Sequence, residues 1–133
     1  MLSSREQKVQ MAGRRTTNDK QWQETKKIVV ERDRGDRMLR CLSMPEALAL
    51  KRKAEPYLQQ LDPAHIIAVG DRPDLCYEPL DICLLNHYSH SNLDDCKDPI
   101  TGKPITLEER DRWWYRIAST NRQQKQFLDD QNF

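Results

Sequence analysis

The chain has 133 residues, 37% of them hydrophobic and 32% charged, enough for one modest core plus a tail. It has no apolar run near the ~18 residues a membrane helix needs and no apolar secretory stretch at its start, so a cytoplasmic protein without a membrane partner is expected. The net charge of +1 hides an asymmetry: 11 Lys+Arg against 6 Asp+Glu up to Arg40, then 11 against 15, which suits a polyanion-gripping front joined to a carboxylate-rich back. Residues 1–18 are polar and basic and predict a flexible arm, and residues 19–133 predict one domain with its core at 38–98. Asn18 or Asp19 is placed to cap a helix carrying Trp22, Ile28 and Val29, which stops near Gly35. Met38–Leu42 reads as a short strand, and Pro45 opens a second helix with an apolar face of Ala47, Leu48, Leu50 and Ala54. Ile66, Ile67 and Val69 predict a strand ended by Gly70, followed by a proline-rich loop. Asp81 is placed to cap a helix running to Asp95. Thr106 with Glu109 is a capping-box signal for a last helix over 106–130, whose Trp113 and Trp114 read as core residues.

Four cysteines, at 41, 76, 83 and 96, include no C-x-x-C pair, and free thiols are expected. The three histidines stand at 65, 87 and 90. On a helix, His90 and Asp94 share a face at i and i+4 and can hold one ion between them. An imidazole with carboxylates is a reasonable first shell for Mg²⁺, Mn²⁺ or Zn²⁺. His87 falls three positions before His90 and reads as a surface or DNA-contact residue. Arg14, Arg15, Lys26, Lys27, Arg37 and Arg40 are candidate phosphate contacts.

The run D-I-C-L-L-N-H-Y-S-H, Asp81 to His90, resembles the N-L-x-x-L-C-x-x-C-H pattern of HNH nucleases. Ala64-His65-Ile66 is similar to the A-H-I element of small phage members of that family. The segment D-P-I-T-G-K-P-I-T-L-E-E with its tryptophan helix, and the upstream E-R-D-R-G-D-R-M-L-R-C-L-S, also look like theirs, so the likeness spans roughly residues 26 to 117. It implies an α+β domain built on a ββα-metal (HNH, His-Me finger) hairpin-helix core with additional flanking α-helices. It further implies a metal-dependent DNA endonuclease of phage DNA processing or recombination, with other phage DNA-processing proteins as further partners and the host cytoplasm as its place. His65 would be the general base and His90 and Asp94 metal ligands. Asp81 stands at the family's asparagine and would orient the His65 backbone or bind metal. Ala64 replaces the usual ligand before the base, and Asp62, two residues earlier on the same strand face, would substitute. Cys41 matches the first structural-zinc position, but Met44, Asn86 and Ser89 replace others, so no structural zinc is expected. Those replacements also motivate the rival reading, a catalytically inactive HNH scaffold that binds DNA or serves assembly.

Overall fold

A computed structural model describes residues 20–133; the expected arm at 1–18, with Arg14 and Arg15, and the Asn18/Asp19 cap lie outside the described residues. The chain is a mixed α+β protein with one two-stranded antiparallel sheet and several helices. Helix α1, over residues 20–33, ends where Arg34 turns left-handed (φ 55) just ahead of Gly35, close to the expected stop. No described helix is long and apolar enough to cross a membrane.

The strand expected at Met38–Leu42 is instead a short helix, α2 (Arg37–Cys41). Asp36 caps it by accepting the Met38 N–H, and a buried Arg37 anchors it. All three Arg37 nitrogens are used. Nη1 meets Asp33 and Gln124, Nε donates to Thr120, and Nη2 donates to the Ile117 and Ala118 carbonyls. Helix α3 (Met44–Ala54) starts as expected, with Pro45 in its first turn and a reciprocal Ser43–Glu46 capping box.

Strand β1 is Leu61–His65; it carries Asp62 and His65 as expected but ends before Ile66, Ile67 and Val69, which were expected to continue it, and it pairs with β2 (Ile82–Asn86) so that Asp62 faces Leu85 and His65 faces Ile82. After His65 the chain leaves the sheet. The Ile66 N–H goes to the Asp81 carbonyl and the Ile67 N–H to the Asp81 carboxylate, which ends the ladder. The helix expected from Asp81 to Asp95 is likewise corrected. Its first part is β2, and only His87–Asp94 is helical (α4), capped by Asn86 rather than Asp81. Ile82 to Leu85 is a continuous apolar run, which periodicity alone cannot assign to helix or strand. Burial on both faces selects the strand. Cys83 and Leu85 join the main core with Leu93, Trp114 and Ile117, while Ile82 and Leu84 pack against Val29 of α1.

The single helix expected over 106–130 is two, α5 (Leu107–Ala118) and α6 (Arg122–Asp130). Asn121 caps the second by accepting the Gln124 N–H, and the break frees the Ile117 and Ala118 carbonyls for Arg37. Trp114 is core, as expected, whereas Trp113 is partly exposed under the Arg116 guanidinium at 5.0 Å.

Candidate metal and catalytic site

The strand pair and α4 bring four of the expected residues to one place. Asp62 lies on β1 and His90 on α4, which packs against both strands. One Asp62 carboxylate oxygen, Oδ2, sits 2.9 Å from His90 Nδ1 and 2.6 Å from His87 Nδ1. The other ring nitrogen of His90, Nε2, lies 3.1 Å from Asp94 Oδ2, so this i,i+4 pair meets directly, and Asp94, expected as a metal ligand, is not among the three clustered donors. The His90 ring is thus held between two carboxylates. Hydrogen bonding to Asp94 leads the causes that push its pKa up to about 9, with Asp62 adding to it against burial. Burial works to raise the Asp62 carboxyl, but hydrogen bonds from His90 and His87 outweigh it and leave the pKa below the usual value.

Asp62, His87 and His90 each offer one ligand atom, and these atoms lie within 4.8 Å of one another. One carboxylate and two imidazoles form a donor set suited to a divalent cation. His87 enters this group, although sequence reasoning placed it among surface or DNA contacts. The signal was present in the i,i+3 spacing to His90, which puts both rings on neighbouring positions of the helix.

His65 ends β1, half-buried, and its environment is fixed from two sides. Nε2 lies 2.9 Å from the Cys76 carbonyl. A carbonyl only accepts, so Nε2 carries the proton in this contact and Nδ1 of the neutral ring keeps its lone pair. The Trp22 indole stacks on the imidazole, centroids 5.9 Å apart and planes 19° from parallel. Burial lowers the His65 pKa below the ordinary histidine value, which keeps the ring neutral near pH 7. His65, His90 and Asp94 line one cavity of about 560 Å³, together with Trp22, Arg110 and Trp114. Nothing in the sequence signalled Trp22 or Arg110 as cavity residues, because they come from helices 43 residues before and 45 residues after His65.

Asp81 does not join this cluster. Its side chain is fully buried at 0% exposure, with Oδ1 accepting the Ile67 N–H at 2.9 Å and Oδ2 without a hydrogen-bond partner among the described residues. Burial pushes its pKa up to about 7. It therefore holds the backbone at Ile67, two residues after His65, and is not among the clustered Asp62, His87 and His90 donors.

The expected phosphate contacts divide. Arg37 is 1% exposed with every nitrogen engaged inside the protein, so it is a structural residue and not a nucleic-acid contact. Arg40 is exposed, with one nitrogen bonded to the Asp33 carbonyl. Lys27 is exposed and Lys26 half-buried on α1. The four cysteines are free thiols: Cys83 is buried and Cys41, Cys76 and Cys96 are half-buried. Compared with family models, with curated proteins and with solved structures, the chain matches none.

Proposed function

We propose that the chain is a metal-dependent DNA endonuclease of the HNH type, its ββα unit running from Leu61 to Asp94. One observation carries this reading. His65, a neutral imidazole with a free Nδ1, shares a cavity with His90, which in turn shares a carboxylate oxygen with His87. Asp62, His87 and His90 would hold the ion. Two imidazoles favour Mn²⁺ or Zn²⁺ over Mg²⁺, which prefers oxygen ligands. When bound, a divalent cation supplies charge neutralisation at a scissile phosphate and its leaving oxygen.

The protein's own groups do the rest. His65 Nδ1 would take the proton of the attacking water, and the Cys76 carbonyl holds Nε2–H so that the lone pair stays on Nδ1. Trp22 limits rotation of that ring and shields it from solvent. Asp94, on the far nitrogen of His90, fixes the ring orientation and raises its basicity, as carboxylates behind ligating histidines do. Asp81 keeps the loop after His65 in place through the Ile67 N–H. Arg14, Arg15, Lys26, Lys27 and Arg40 would supply phosphate contacts, and DNA processing in a phage is the setting that the sequence resemblance suggests.

A second reading, a non-catalytic DNA-binding or assembly factor on the same scaffold, is favoured by the His90 ring itself. Both its nitrogens already face carboxylates, so the cluster holds together as an ion-paired network without a metal. Plasmid nicking separates the two. The nuclease reading expects nicking with Mn²⁺, Zn²⁺ or Mg²⁺ that His65→Ala reduces at least a hundredfold. Salt-sensitive DNA binding with no cleavage under any of the three ions establishes the scaffold reading instead.

A further inference from the structure

Arg110 is the single lysine or arginine among the residues lining the cavity. It stands on α5 one turn before Trp114, so that both side chains fall on the helix face turned to the cavity. Its guanidinium makes no ion pair among the described residues, and its Nε is buried with no hydrogen-bond partner. The neighbouring acid does not satisfy it: Asp94, the one carboxylate lining the cavity, is turned to His90. Buried N–H groups are almost always paired, so an arginine that lines a cavity with its Nε unpaired and no ion pair among the described residues is short of an acceptor. Trp114, Ile66 and Val69 are among the apolar side chains that line the same cavity.

We propose that Arg110 grips an oxyanion in this cavity, and that the ligand is a phosphodiester whose non-bridging oxygens take the Arg110 fork while the phosphorus lies toward His65. The identification of the anion as a phosphodiester rests on the nuclease reading; the demand for an anion does not. A guanidinium presents parallel N–H donors that match two phosphate oxygens, which a lysine cannot do. Arg110 is then a substrate-binding residue in the cavity that His90, one of the three metal donors, also lines. No covalent step is assigned to it.

The test uses the full chain, freed of metal with a chelator, and inorganic phosphate as the probe. Phosphate is titrated while the imidazole signals of His65 and His90 are followed by NMR. The expected result is saturable shifts of both rings in the native chain. Half-saturation should rise at least tenfold in Arg110→Gln and by a smaller factor, about threefold or more, in Arg110→Lys, which keeps charge but not the fork. No shift in the native chain, or equal titrations in native and Arg110→Gln chains, overturns the proposal. If Arg110→Gln does not fold, Arg110→Lys decides: unchanged half-saturation overturns it and weakening supports it.

A second arm follows hydrolysis of bis(p-nitrophenyl) phosphate with Mn²⁺ added back, where KM should rise at least tenfold in Arg110→Gln. Arg110-dependent phosphate binding without hydrolysis under Mn²⁺, Zn²⁺ or Mg²⁺ supports the arginine site and removes the nuclease reading. Hydrolysis with native KM and kcat in Arg110→Gln removes the arginine site and keeps the nuclease.

Discussion

Asp36 clasps Asn86 at two points: its carboxylate accepts the Asn86 backbone N–H at 3.0 Å and the side-chain amide at 2.8 Å. The same carboxylate caps α2 through the Met38 N–H. Asn86 in turn caps α4 through the Ser89 N–H at 2.8 Å, one residue before His87. Asp36 thus fixes the strand-to-helix corner from which both α4 histidines project. Asp36→Ala would leave a buried amide and a helix N-terminus unpaired. A loss of about 2–4 kcal/mol is expected in urea unfolding. A loss below 0.5 kcal/mol would show that the corner holds itself without this clasp.

Asp81 sets a pH dependence of stability. Its folded pKa of about 7 lies above the unfolded value near 4, so its contribution is complete below pH ~4 and is lost as pH rises through 7. Asp81→Asn keeps an acceptor for Ile67 N–H and cannot ionise. Relative to native, the variant should therefore gain stability between pH 4 and pH 8, by roughly 3–4 kcal/mol. Chemical denaturation at the two pH values measures it, and a difference that does not change with pH would place the Asp81 charge elsewhere in the balance.

Metal affinity should rank the cluster. Calorimetry with Zn²⁺ or Mn²⁺ is expected to show one site per chain that Asp62→Ala or His90→Ala removes and His87→Ala weakens at least a hundredfold. Asp94→Asn should cost only about 10–100-fold, the usual loss when a carboxylate behind a ligating histidine is neutralised. Equal affinities in the native and His87→Ala chains would exclude His87 from the donor set.

Trp22→Ala removes the flat cover of His65. With less burial the imidazole pKa should climb toward its ordinary value of about 6.5, visible directly by NMR titration of the ring. The acid limb of any nicking profile should move up by the same amount, because the base works only when neutral. A His65 titration identical to native would mean that Trp22 contributes nothing to its environment.

What the sequence made legible was mostly local. Pro45 at the first turn of α3 and the Thr106–Glu109 box of α5 are local signals, and both helices begin where they place them. His90 with Asp94 was legible for the same reason, being one helical turn apart. The Met38–Leu42 and Ile82–Leu85 segments were not, because each is short and apolar and its state depends on distant partners. Arg37 shows the cause most plainly. Its Thr120, Ile117 and Ala118 acceptors stand some 80 residues away, so nothing near it distinguishes a buried anchor from a DNA-gripping arginine. The approach of His87 to His90 was not legible because the oxygen that joins them belongs to a strand 25 residues upstream.

The sheet beneath these residues has only two five-residue strands, which is marginal for an independent structure. It stands because Val29 covers one face of β2, the main core covers the other, and the Gln124 amide of α6 clamps the Ile82 carbonyl. The chemistry-bearing stretch is therefore not portable. Excised as residues 61–94 or transplanted onto another scaffold, it would arrive without either cover and would not keep its shape. A truncation after Ala118, more than 20 residues from His90 in sequence, should silence the site as surely as a change within it.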